Sequence, residues 1–149
     1  MKKILVPIDF SETSVEAFKF ALTIAEKNNG TVHLLHVVEL PVLYDSAAVL
    51  SFEQAYMSDR KKDVEKRFAK LKEKYAKDLP VTIRSHVEYG GTVHVIRRMI
   101  LETKADLVVL GTHGAKGLKE FTVGSNTEKI VRSSPVPVNS LKKGMKHVK

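Results

Sequence analysis

Residues 2–40, KKILVPIDFSETSVEAFKFALTIAEKNNGTVHLLHVVEL, decide the fold of this chain. The stretch opens on an apolar, β-branched run over 2–9 that ends at Asp9, which predicts a buried strand. From 11 to 30 the period changes. Val15, Phe18, Leu22 and Ala25 recur at steps of three and four, which places them on one face of a helix. Ser11 or Thr13 can cap its start, and Thr13 with Glu16 has the spacing of a capping box. Asn29 and Gly30 end it, since both tolerate the left-handed conformation that closes helices. Residues 31–40 return to a strand. Strand, helix, strand in this order implies parallel pairing through a right-handed crossover.

The remainder repeats the pattern. Residues 41–50 read as a loop, and Ser51 with Gln54 opens a long helix to about 77, with Val64, Phe68, Leu71 and Tyr75 as its apolar stripe. A third strand over 80–90 alternates Val81, Ile83 and Ser85 against Thr82, Arg84 and His86. Residues 92–104 form a helix with Val93, Ile96 and Ile100 inward, and 105–111 a fourth strand. A glycine-rich loop, a short helix from Ser125 and an irregular fifth strand over 135–141 complete the chain. The order βαβαβαβαβ predicts one α/β domain over 1–149: a doubly wound, Rossmann-like, five-stranded parallel sheet of order 3-2-1-4-5 with helices on both faces. The near-continuous apolar runs at 4–8 and 107–110 fit strands covered on both sides.

Composition narrows the function classes. A chain of 149 residues can bury a core that is stable alone. No apolar run approaches the ~18 to 20 residues of a membrane span. The N-terminus begins like a signal peptide, but its apolar stretch is short, and Asp9, Glu12 and Glu16 follow without a small-residue cleavage site. With no cysteine there is no disulfide framework and no thiolate metal site, and a cytoplasmic location is expected. The formal charge of +8 concentrates in 60–77 and in the tail 142–149. In 60–77 the acids are interleaved, the pattern of a solvated helix face. No aromatic-rich basic strand points to nucleic acid. His33, His36, His86 and His94 are scattered without metal-ligand spacing, so no protein metal site is expected.

In such a sheet a ligand binds at the carboxyl ends of the strands, where strand order reverses. Asp9 ends the first strand and Gly111 the fourth, so the two are expected to face one crevice. The loop there, GTHGAKGLKEFTVGSN over 111–126, carries Gly111, Gly114, Gly117 and Gly124. It matches neither the P-loop nor the Rossmann fingerprint. Its parts nonetheless suit a phosphate. Glycine admits close backbone approach, successive N–H groups can form an anion nest, and Gly124–Ser125 open a helix N-terminus. The same residues also serve as a plain turn and cap, for Ser125 with Glu128 is a capping box. Nine residues separate Gly114 from Gly124, in a connection class where ~2 to 6 is usual.

The spacing Gly111-x2-Gly114-x9-Gly124-Ser125 resembles the nucleotide-binding signature of the universal stress protein family, G-x2-G-x9-G-[ST], which marks its ATP-binding branch. ILVPIDFSETS at the N-terminus and ADLVVLGTHGAKGLKEFTVGSNTEKIVRSSPVPV near the C-terminus resemble the same family, so the likeness covers the domain in order. The resemblance implies ATP lying across the crevice between strands 1 and 4, with any Mg2+ or Mn2+ carried by the phosphates. It places Asp9, with Pro7 beside it, at the base or ribose, and Val38 (Val37 is the alternative) at the adenine through its backbone. Leu110 and Gly111 fall near the ribose and phosphates, and Gly114, Gly124, Ser125, Asn126 and Thr127 at the phosphates. His113 and Lys116 reach phosphates or solvent. No base stands in the motif block beyond the loop acid Glu120, so a nucleotide-dependent regulatory or stress-response protein with at most slow ATP hydrolysis is expected. A genuine ATPase or phosphotransferase, and a basic module that uses 60–77 on an acidic partner, are the alternatives. Family members commonly form homodimers through the last strand. Here Pro137, Asn139 and Ser140 replace apolar positions of the family's PVLVV.

Overall fold

The alternation read from the sequence becomes nine elements: β1 (Lys3–Pro7), α1 (Glu12–Asn28), β2 (Thr31–Val38), α2 (Ala47–Tyr75), β3 (Thr82–Tyr89), α3 (Thr92–Thr103), β4 (Leu107–Gly111), α4 (Ser125–Ser133) and β5 (Val138–Leu141). The structure, a computed structural model, describes residues 2–39, 47–112 and 125–142. The strands form one parallel sheet of order β3-β2-β1-β4-β5. Successive side chains on a strand point to opposite faces, and both faces here are covered. Ile4 and Val6 of β1 join Phe18, Leu22, Val64 and Phe68 in the core beneath α1 and α2. Leu5, with Val108 and Leu110 of β4, packs against Val95, Ile96, Met99, Ile100 and Ile130 of α3 and α4. Each fully buried side chain of this size stabilises the fold by roughly 1.5–3 kcal/mol.

The helix ends show which local signals operate. Ser11 is the N-cap of α1: its Oγ accepts from the Ser14 N–H at 3.3 Å, and the Ser14 hydroxyl donates to the Ser11 carbonyl at 2.9 Å. Thr13 and Glu16 therefore do not form the cap, and Glu16 pairs with Lys19 at 3.1 Å instead. Asn29 closes the helix at φ 51°. The inward stripe keeps Phe18, Leu22 and Ala25 but is centred on Ala17 and Ala21, and Val15 is half-buried.

Helix α2 begins at Ala47, not at Ser51. The run AAVL before the serine already favours a helix, so Ser51 lies one turn inside it. Val64 and Phe68 are buried, with Leu71 and Tyr75 packed beside them, while Asp63 pairs with Arg60 and Arg67 at 3.5 and 3.6 Å on the solvent side. The Tyr89 hydroxyl donates to the Met57 carbonyl at 2.9 Å and ties α2 to the end of β3. Strand β5 is shorter than the apolar pattern suggests. Proline has no N–H to give a ladder, so Pro137 precedes the strand and offers only its carbonyl, which accepts from Val108 N–H at 3.0 Å.

Candidate functional site

The sheet reverses its strand order between β1 and β4, which pair in the register Ile4↔Leu107 and Leu5↔Val108. Helix α1 carries the chain from β1 to β2 on one side, and α4 carries it from β4 to β5 on the other. Asp9 and Gly111 thus leave the sheet at the same end, the carboxyl ends of two neighbouring strands. This is the place where an open α/β sheet binds ligands.

The β1 wall is a fixed turn. Pairing continues past Pro7, where the Ile8 N–H donates to the Leu35 carbonyl at 2.7 Å. Asp9 is half-buried, and its Oδ1 accepts the Ser11 N–H at 2.9 Å, so it stabilises the entry to α1. Phe10 holds φ at 65°, a conformation that costs a bulky residue on the order of 1–3 kcal/mol. Its surroundings hold it there. The ring lies 5.2 Å from His36 and 5.6 Å from Phe68, with the Arg67 guanidinium 4.9 Å from its centroid. Beneath the turn, buried His36 lies with Nδ1 2.6 Å from the Ile8 carbonyl. A carbonyl only accepts, so Nδ1 carries the proton. Burial lowers the His36 pKa. The Ile8 bond and Asp9 oppose that shift, and Arg60 and Arg67 add to it.

The β4 wall depends on a missing Cβ. A methyl group on Gly111 would lie 2.5 Å from Thr13 Oγ1 and 2.9 Å from the Thr13 carbonyl carbon. Glycine is therefore needed for the first turn of α1 to rest against the end of β4. Thr127, buried in α4, donates its hydroxyl to the Gly111 carbonyl at 3.0 Å and fixes the start of α4 to the same point. Ser125 and Asn126, in the first turn of α4, are exposed. Thr112 donates its N–H to Leu141 at 2.7 Å, and its buried hydroxyl has no hydrogen-bond partner among the described residues.

The other anticipated positions are placed as follows. Pro7 is half-buried and pairs with Leu35. Val38 is buried at the end of β2, and its carbonyl accepts from Gly90 N–H at 3.1 Å. Val37 is half-buried on the α3 side, and Leu110 is buried in the core under α3 and α4. Gly114 and Gly124, like His113, Lys116 and Glu120, lie outside the described residues. The sequence reading passed over Thr112 and Phe10, and it weighed His36 only as a metal ligand. A polar residue directly after a buried strand was the available signal for Thr112. The ring contacts of Phe10 depend on α2, which is remote in sequence.

A doubly wound parallel sheet with glycine and hydroxyl residues gathered at its switch point defines a Rossmann-like α/β domain. The chain belongs to the universal stress protein family, whose profile matches residues 1–139. It is 32% identical over 145 residues to universal stress protein MJ0531 of Methanocaldococcus jannaschii, covering 97% of this chain and 84% of that one. The solved structure of MJ0577 from the same organism superposes with a TM-score of 0.80 at 27% identity, covering 97% and 98% of the two chains. A family protein of Arabidopsis thaliana, solved with AMP bound, shares the fold with a TM-score of 0.63 at 19% identity, over 97% and 93% of the chains.

Proposed function

We propose that this protein binds an adenine nucleotide, ATP, across the β1–β4 crevice and acts as a nucleotide-dependent regulatory protein of the ATP-binding branch of its family. The observation that carries the reading is one convergence. The Asp9 turn, the Cβ-free Gly111 and the exposed first turn of α4 lie at one end of two adjacent strands, beside the buried Thr112 hydroxyl, which has no partner among the described residues. The nucleotide named for the Arabidopsis relative, AMP, supports the ligand class. A helix start offers unpaired N–H groups to phosphate, and Ser125 adds an accessible hydroxyl. Asp9 supplies an acceptor for ribose or base, Pro7, Val38, Leu110 and Gly111 form the floor, and Gly114, Gly124, Asn126 and Thr127 complete the phosphate side. Mg2+ or Mn2+ enters with the phosphates.

Glu128, the acid in the first turn of α4, is engaged with Arg132 at 2.8 Å, which favours binding over hydrolysis. Ligand that binds only the folded form stabilises it increasingly as its concentration exceeds the dissociation constant, and this is the basis of regulation. The same reading places 1–149 in one domain and pairs two copies through β5, an edge strand of the sheet.

Calorimetry with ATP tests the site. Ser125→Ala should weaken binding about tenfold, the loss of one phosphate hydrogen bond of about 1.4 kcal/mol, and any loss of helix capping is read separately from the melting temperature of the free protein. Absence of ATP binding to the wild-type chain overturns the site. Turnover of many ATP per protein per minute, abolished by Ser125→Ala, overturns the regulatory reading in favour of an ATPase.

A further inference from the structure

On the α3 face of the sheet, beside its β3 edge and two strands away from β4, a second cleft opens between β2–β3 and α3. Its volume is about 480 Å3, and it is lined by Lys3 at the start of β1, His33 of β2, Arg84, His86 and Glu88 of β3, and Glu102 of α3, among others. His33 Nδ1 and His86 Nε2 stand 2.9 Å apart, with the rings stacked at 5.2 Å. Such a bond requires one nitrogen to donate and the other to accept, so the pair at rest carries at most one extra proton. Both carboxylates face Arg98, Glu88 at 3.0 Å and Glu102 at 3.4 Å. The lining cations Lys3 and Arg84 balance the carboxylates Glu88 and Glu102, and Arg98, just outside the lining, occupies both carboxylates, which leaves Lys3 and Arg84 for an anion.

We propose that this cleft is a proton-coupled binding site for a tetrahedral dianionic oxyanion, distinct from the β1–β4 crevice. The chemistry lies in the histidine pair. With both rings neutral, the bonded pair presents one donor and one acceptor on its two outer nitrogens. One added proton leaves the inner bond intact and turns the outer acceptor into a donor, so the pair then offers an N–H at each end beside Lys3 and Arg84. A second proton would place two cations against each other and break the bond. A neutral pair can already donate at one end by reversing its inner bond, so it is the charge of the anion, favouring the cationic pair, that couples uptake to one proton. Without an anion the extra proton is disfavoured: burial lowers both pKa values, and His86, Arg84 and Lys3 add to the shift at His33. Glu88 and Glu102 oppose it at His86, although Arg84 lowers that ring further. A metal ion is the poorer occupant. The nearest fixed charges on His33 are cationic, and no group of three His, Cys, Asp or Glu among the described residues could hold one.

The test uses inorganic sulfate, whose charge does not change between pH 5.5 and 7.5. NMR titration of the full chain should give saturable shifts at His33, His86 and Arg84, with affinity rising by up to tenfold per pH unit as pH falls from 7.5 toward the depressed pKa of the free pair and levelling off below it. Arg84→Gln, at an exposed position, should weaken binding severalfold at every pH, and His86→Gln should abolish the pH dependence. Glycerol phosphate in place of sulfate separates a free inorganic ion from the phosphate of an organic ester, by whichever binds tighter. Shifts that do not saturate, that appear at Gly111 to Thr127 instead, or that keep their strength and pH slope in Arg84→Gln overturn the proposal. Because Arg84→Gln leaves the histidines in place, this outcome can be read even where His86→Gln fails to fold.

Discussion

Gly111 and Thr127 are assigned to the nucleotide by resemblance, yet each already has a structural duty. The end of β4 touches Thr13 where a Cβ would stand, and the Gly111 carbonyl receives the Thr127 hydroxyl at 3.0 Å. Gly111→Ala should therefore destabilise the free protein by roughly 1–3 kcal/mol, the cost of forcing a methyl into packed backbone. Thr127→Val keeps the shape and removes the donor, and about 1 kcal/mol should be lost. Urea midpoints with unchanged slopes check both values. A Gly111→Ala chain as stable as the wild type would mean that α1 does not press on β4 as described. These costs also determine which variant tests the ligand. Loss of ATP binding in Gly111→Ala has a packing explanation as well, whereas Ser125 is exposed and its only structural duty is at the start of α4, which the melting temperature of the free protein reads directly.

At the scale of elements, much of the architecture was legible because period and order are local properties. The switch from a β-branched run to steps of three and four located β1 and α1, and repetition of that unit implied the parallel sheet. What the sequence did not reveal depends on neighbours in space. Ser51 looked like a cap because S-x-x-Q has that spacing, but the preceding Ala47–Leu50 had already entered the helix. Asp9 and Gly111 were legible as a pair, since Gly111 ends β4 and Asp9 follows the end of β1 by two residues. The Cβ clash at Gly111 and the bond between His33 and His86, 53 residues apart, were not. Asp106 is a further example. The sequence reads it as an ordinary residue of the fourth strand, yet it precedes β4, and its Oδ2 accepts from the N–H groups of Lys2 and Lys3 at 3.0 and 2.9 Å and joins the starts of β1 and β4. Those bonds hold its carboxyl below the usual range. Asp106→Ala should speed amide exchange at Lys2 and Lys3 while leaving the exchange of Val6 and Val109 unchanged. Equal acceleration throughout β1 would show that the contact supports the whole strand rather than its end.

For the molecule as a whole, three histidines set the acid limit of stability. His33, His36 and His86 are all held below their ordinary value of 6.5, chiefly by burial. A histidine whose pKa is depressed by folding binds fewer protons folded than unfolded, so stability rises with pH across the interval between its two values. The contribution is fully present above about 6.5 and is lost as pH falls from there through the lower folded values. Asp106 acts in a separate window. Its depressed carboxyl loses its contribution only below the ordinary 3.8. The formal charge of +8 works in the same direction as the histidines, because each added proton increases self-repulsion. Urea unfolding should accordingly give a plateau above pH 7 and a steady fall from pH 6.5 to 5.5, long before the carboxylates titrate. The residues divide the effect by location. His36 lies under the Asp9 turn, away from the second cleft, so sulfate should restore at pH 5.5 only the part due to His33 and His86. Flat stability over this range would show that the three rings are protonated in the folded chain without cost.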